Sequence, residues 1–333
     1  MPETRSGDDE AWMNEAITTA AGARGHASPN PWVGAVVVAP DGSAWPGATA
    51  PPGGPHAEVA ALAAAGASAQ GATLYVTLEP CSHVGRTGPC ADAVAGAGIR
   101  RVVVGVEDPD PRVRGRGIER LREAGIQVDV GVRAAEVAEQ LAPYLKHRRT
   151  GRPWVVVKLA ASLDGRTAAP DGTSQWITGE AARADAHRLR AESDAVLVGA
   201  GTVRADDPAL TVRAVPGRDP LRVVLGRAPS GARVLPALEL GGDLGEVLDD
   251  LGRRGVVQLL VEGGATVAHD FHAAGLVDRY VLYLAPALFG GDDGRALFAG
   301  PGAPTLSQIF RGHLVDVAQV GGDLRVELSG AAA

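Results

Sequence analysis

The chain has 333 residues, of which 45% are apolar, 21% charged and only 4% aromatic, with a formal net charge of −7. That length is generous for one compact core and suits two soluble domains; the acidic balance of both halves, without any basic run, argues against a nucleic-acid partner. No apolar stretch reaches the ~18 residues of a membrane helix, and MPETRSGDDE at the start has no apolar signal region, so the protein is expected in the cytoplasm with no membrane contact.

In chain order, residues 10–22 read as a helix and SPNPWVGAVVVAPDG as a turn followed by a β run, Val33–Ala39. A helix opens at His56 in PHAEVAAL, ATLYVTLEP reads as a strand, and a Gly-rich loop then carries Cys81 and Cys90 before a helix starting from Pro89. RVVVGV (Arg101–Val106) and QVDVGV (Gln127–Val132) are strands separated by a helical stretch, Gly117–Ala124. Near-continuous Val runs alternating with helices predict a largely parallel sheet covered on both faces. The scarcity of aromatics requires cores of many small aliphatic contacts, which suits tight helix-on-sheet packing.

A polar helix, Ala134–His147, leads into RRTGRP, which divides the chain into domains at 1–147 and 150–330. The second half has β runs near 154–160, 194–199, 221–225, 256–261, 279–285 and 324–328, with helical patterns near 180–191, 245–253 and 265–274. SGARVLPALELGG between them is turn-rich and has no clear period.

The first half carries a metal constellation. His56, Cys81 and Cys90 are each preceded by Pro and each stand at the expected start of a helix, where proline fits and the helix dipole favours a thiolate. In a reducing compartment such cysteines point to metal or catalysis before disulfide. One neutral imidazole and two thiolates balance Zn2+ and leave the fourth tetrahedral position to water, the open geometry of a catalytic zinc. Glu58, two residues after His56, is placed to pass that water's proton to a departing amine. This H-x-E with a downstream P-C is the signature of zinc deaminases. A purely structural zinc, with His83 as fourth ligand, is the competing reading.

SPNPWVGAVVV, PHAEVAAL, YVTLEPCSHVGRTGPC and EDPDP resemble the bifunctional riboflavin-biosynthesis deaminase/reductase family, over nearly the whole chain. The resemblance implies an α/β protein: a cytidine-deaminase-like three-layer domain followed by a dihydrofolate-reductase-like α/β domain. It implies hydrolytic deamination of a phosphoribosylamino-diaminopyrimidinone, with Asn30 holding the substrate and His83 and Arg86 lining the pocket. Many members carry a His where this chain has Thr49, which bears on substrate contacts there.

In the second half, VVVKLAASLDGRTA, SQWIT, VGAGTVRADDPALTVR and LLVEGGATVAHDF each put Gly or small residues at the end of a β run, the way backbone amides approach phosphates. With Lys158, Arg190, Arg213 and Glu262 available, these loops suit an anionic substrate beside a nucleotide. The same segments resemble the family's reductase half, which uses NADPH to convert the ribosyl group to ribityl. By that resemblance Ala160, Trp176, Thr202, Asp206 and Gly264 contact NADPH; Ser174, Arg190, Leu210, Arg213 and Glu262 contact substrate; and Lys158 is a proton source or a phosphate partner. Other members usually have an additional strand where this chain has ARVLPALELGG. A homo-oligomer acting on a small phosphorylated pyrimidine is expected. The rival readings are a deaminase with a degenerate second half, a non-catalytic zinc-stabilised binding module and a nucleic-acid-editing deaminase.

Overall fold

The computed structural model describes residues 6–82 and 88–330, and its contacts divide the chain into two compact units, with the division between Gly151 and Arg152. In the first unit, helices α1 (Ser6–Ala21) and α2 (Arg24–Ala27) precede strands β1 (Gly34–Val38) and β2 (Ala44–Ala48). Helix α3 (Ala57–Ala65), β3 (Thr73–Leu78), α4 (Cys90–Gly96), β4 (Arg101–Val106), α5 (Arg116–Glu123) and β5 (Gln127–Val130) follow, and α6 (Ala134–Gln140) and α7 (Ala142–Thr150) complete it.

The sheet order is β2-β1-β3-β4-β5. Here the expectation of a largely parallel sheet needs correcting. Strand β1 is antiparallel to both of its neighbours, and only the β3-β4-β5 half is parallel. The anticipated tight packing is present. A side chain at Gly34 would lie 2.0 Å from the Ala16 carbonyl oxygen of α1, and one at Gly47 would lie 2.4 Å from the Ala61 nitrogen of α3. Glycine and alanine therefore let both helices touch the sheet backbone. The single helix expected over Ala134–His147 is two, because Pro143 in the first turn of α7 cannot donate the amide that would continue the helix through Leu141.

In the second unit the strands are β6 (Trp154–Ser162), β7 (Arg166–Ala168), β8 (Ala195–Gly199), β9 (Leu221–Leu225), β10 (Leu238–Leu240), β11 (Gln258–Val261), β12 (Arg279–Ala285), β13 (Arg295–Ala296), β14 (His313–Val320) and β15 (Asp323–Ser329). The main sheet runs β10-β9-β8-β11-β6-β12-β15-β14, parallel through β12 and antiparallel over the last two pairings. Val155, Val157 and Leu159 of β6 belong to one core and Val156 to another, so both faces are covered and the Val run is continuous for that reason. The helices are α8 (Glu180–Ala191), α9 (Ala200–Asp206), α10 (Leu244–Arg253) and α11 (Ala265–Ala273). The ARVLPALELGG stretch is not without a strand: Leu238–Leu240 adds in parallel to β9 as a three-residue edge. Among the described residues no helix is long and apolar enough to cross a membrane.

Candidate active sites

Three chain segments deliver the metal donors. His56 is the N-cap of α3, Cys90 is the first residue of α4 after Pro89, and Cys81 follows the end of β3. Their donor atoms all lie within 4.8 Å of one another. His56 Nδ1 is 3.2 Å from Cys90 Sγ and 3.7 Å from Cys81 Sγ, and the Cys90 amide donates to Cys81 Sγ at 3.3 Å. Ligands that share one tetrahedral zinc sit about 3.5 Å apart, so the donor set and its spacing fit that ion. Among the described residues no fourth His, Cys, Asp or Glu joins the cluster. His83 and Arg86 lie outside the described residues.

The electrostatics favour a thiolate at this point. A hydrogen bond with Cys90 brings the Cys81 thiol down to about 4 against the effect of burial, with His56 assisting. The same contact, with burial, pushes Cys90 up. Glu58 is 4% exposed, and burial lifts its carboxyl to about 7. A buried carboxyl at that value can take and return a proton near neutrality.

His56, Cys81 and Glu58 open into a cavity of about 260 Å3 that Asn30 and Thr49 also line, with Cys90 buried behind them. The Thr49 hydroxyl is engaged by the backbone of Val33, accepting its amide at 3.0 Å, so it serves the wall more than a ligand. The opposite wall was not anticipated. Asp108, Asp110, Arg112, Tyr144 and Arg148 line it. Tyr144 donates to Asp108 at 2.9 Å, Arg112 meets Asp110 at 3.0 and 2.7 Å, and the Arg148 guanidinium lies 5.1 Å over the Tyr144 ring. The EDPDP segment at the end of β4 was the one available signal for the two aspartates. Nothing in the sequence marked Tyr144 or Arg148.

In the second unit a cavity of about 280 Å3 brings together Lys158, Trp176, Arg190 and Arg213. Arg183, His187 and Tyr283 join them without having been anticipated. Arg190 forms a two-point ion pair with Glu262 and donates to the Thr211 carbonyl at 3.1 Å. Lys158 Nζ lies 3.8 Å from Glu262, and burial pushes its ammonium below the usual lysine range. Burial works to raise the Glu262 carboxyl, but Arg190 and Lys158 outweigh it and hold it below the ordinary range. Arg183 stacks 4.7 Å over Trp176, and the Arg213 amide donates to His187 Nδ1 at 3.1 Å.

Other anticipated residues fall elsewhere. Thr202, in the first turn of α9, and Gly264, just before α11, meet where two helices start, the Gly264 amide donating to Thr202 Oγ1 at 3.1 Å. Gly264 caps α11, so free backbone amides gather there. Ala160 is part of β6 and Asp206 ends α9. Leu210 is buried in the core with a left-handed φ of 53°. Ala160, Ser174, Asp206 and Leu210 do not line the Lys158 cavity.

Two family profiles match the chain: the cytidine and deoxycytidylate deaminase zinc-binding region over residues 6–106, and the RibD C-terminal domain over 153–326. The riboflavin biosynthesis protein RibD of Mycobacterium tuberculosis is 45% identical, with 96% of each chain covered. The chain belongs to the RibD family. RibD of Acinetobacter baumannii superposes with a TM-score of 0.91 at 39% identity, covering 98% of this chain and all of that one. A deaminase/reductase of Thermotoga maritima gives 0.88 at 33% identity, covering 98% and 99%. The chain is accordingly a bifunctional enzyme of riboflavin biosynthesis, with a zinc-binding deaminase domain and an NADPH-dependent reductase domain. The cytidine-deaminase-like and reductase folds expected from the sequence are the ones present.

Proposed function

We propose that residues 1–147 convert 2,5-diamino-6-(5-phosphoribosylamino)pyrimidin-4(3H)-one to 5-amino-6-(5-phosphoribosylamino)uracil, and that residues 150–330 reduce the ribosyl group of that product. The Thermotoga maritima protein carries both activities in its name, and the observation that carries the reading here is the three-donor cluster with buried Glu58 beside it.

His56, Cys81 and Cys90 would hold zinc, which when bound supplies Lewis acidity toward an attacking water. Glu58 takes a proton from that water and delivers it to the departing amine, so one water enters and one ammonia leaves. Asn30 lines the same cavity and is placed to orient the pyrimidine; His83 and Arg86 are proposed as further contacts.

In the second domain NADPH supplies hydride when bound. The Thr202–Gly264 pair, at an amide-rich helix start, and Trp176 suit its binding, with Ala160 and Asp206 as further contacts. Arg190, Arg213 and Glu262 orient the substrate together with Ser174 and Leu210. Hydride adds to C1′ of the ring-opened imine and a proton adds to its nitrogen. Lys158, whose ammonium burial holds below the usual lysine range, is proposed as the proton source.

We further propose that copies of the chain associate. Strand β14 is an edge strand that exposes Leu314 and Val317 at 67% and 54%, and such an edge calls for a cover. Cys81 and Cys90 form no disulfide, which suits the cytoplasm. The combined test is metal analysis with an assay on the diaminopyrimidinone phosphate that scores ammonia and NADPH consumption separately. One zinc per chain with equal yields of ammonia and NADP+ supports the reading; ammonia without NADPH oxidation would favour a deaminase with a degenerate second half.

A further inference from the structure

Glu79 stands directly before Pro80 and Cys81, is 3% exposed, and has no part in the chemistry described above. Its carboxylate accepts four backbone amides. One oxygen takes Asp108 at 3.2 Å and Gly115 at 3.0 Å; the other takes Gly117 at 2.9 Å and Ile118 at 3.3 Å. Gly117 and Ile118 are in the first turn of α5, whose N-cap, Gly115, has no side chain to offer. Glu79 thus does the capping from the turn just beyond β3, satisfying amides that would otherwise be orphaned. Its own amide donates to the Val106 carbonyl at 3.0 Å, at the end of β4.

The span so fixed, residues 107–117, contains Asp108, Asp110, Arg112 and Val113, which face the Glu58 cavity. Glycine is required where this span meets the donor turn: a Cβ on Gly117 would fall 1.9 Å from the Pro80 carbonyl oxygen. The donor turn and the opposite cavity wall therefore meet at one carboxylate and one glycine.

We propose that Glu79 is a positioning residue of the deaminase site, holding the Asp108–Val113 wall in register with the Pro80–Cys81 turn. This rests on the reading of the cavity as the deaminase site. Glu79→Gln keeps the volume but turns one oxygen into a donor facing two amide donors. Gly117→Ala strains the same junction from the other side and leaves the carboxylate in place.

The experiment uses the full-length zinc-loaded chain and measures zinc content, deaminase kcat and KM, and NADPH oxidation on the deaminated substrate. Both variants are expected to keep zinc and reductase rate, with deaminase KM raised between about tenfold and about a hundredfold and kcat much less affected. Wild-type kinetics in both, or a loss confined to kcat with zinc gone, overturns the proposal. If Glu79→Gln loses reductase activity as well, it has misfolded and Gly117→Ala decides. If Glu58→Gln still releases ammonia, the deaminase reading itself fails; if Glu58→Gln is inactive while both junction variants behave as wild type, only this inference fails.

Discussion

Arg190 and Glu262 face each other as a two-point ion pair, with side chains 14% and 8% exposed. Breaking such a pair leaves the Glu262 charge with only Lys158, 3.8 Å away, to balance it in a low-dielectric setting, at a cost of up to about 3 kcal/mol. Arg190→Ala should therefore lower the denaturant midpoint of the second domain and reduce NADPH oxidation at least about a hundredfold. Ammonia release should stay near wild type.

Lys158 shares that carboxylate, and its two candidate roles separate kinetically. A proton source lost in Lys158→Met lowers reductase kcat by about 10²–10⁴ with little change in KM. Loss of a phosphate partner would instead raise KM with kcat nearly intact. Steady-state kinetics on the deaminated substrate should show the first pattern.

Acid stability of the second domain should involve Asp185. Burial tends to raise its carboxyl, but Arg188, Tyr283 and Arg325 outweigh that and bring it down to about 2 from 3.8. A depressed folded-state value means that its stabilisation is full above pH 3.8 and disappears as pH falls toward 2. The contribution is roughly 2 kcal/mol. Urea titrations between pH 6 and pH 2 should show a shallower acid loss for Asp185→Asn than for wild type, from a lower starting stability.

Chelation should divide the two activities. Removing zinc strips the His56, Cys81 and Cys90 cluster of its organising ion, and folding of such sites is coupled to the metal. Ammonia release should fall to background and return on adding zinc, while NADPH oxidation on the deaminated substrate continues and the melting temperature of the first domain drops.

The metal donors were legible because a soft or nitrogenous donor and a preceding proline coincide at each one, and at His56 and Cys90 a helix start as well; the helix start expected at Cys81 is not there, because Cys81 lies in irregular chain just beyond β3. The alternation of strands and helices was legible from Val runs such as RVVVGV, whose neighbours bury both faces. Strand direction was not, since GAVVV reads the same beside antiparallel partners. Strand β2 was hidden by Pro46, tolerated because β2 is an edge strand where one missing amide costs the ladder little. The far cavity wall escaped for a different reason. Tyr144 and Arg148 belong to α7, distant in sequence, and only the tertiary fold brings them to Asp108 and Asp110.

The account turns on Glu58 acting as the proton carrier beside a bound zinc, and one comparison tests it most directly: zinc content and ammonia release of Glu58→Gln against wild type. The account predicts one zinc per chain in both proteins and ammonia release reduced by about 10²–10⁴ in the variant. Normal ammonia release from a zinc-loaded Glu58→Gln chain would contradict it.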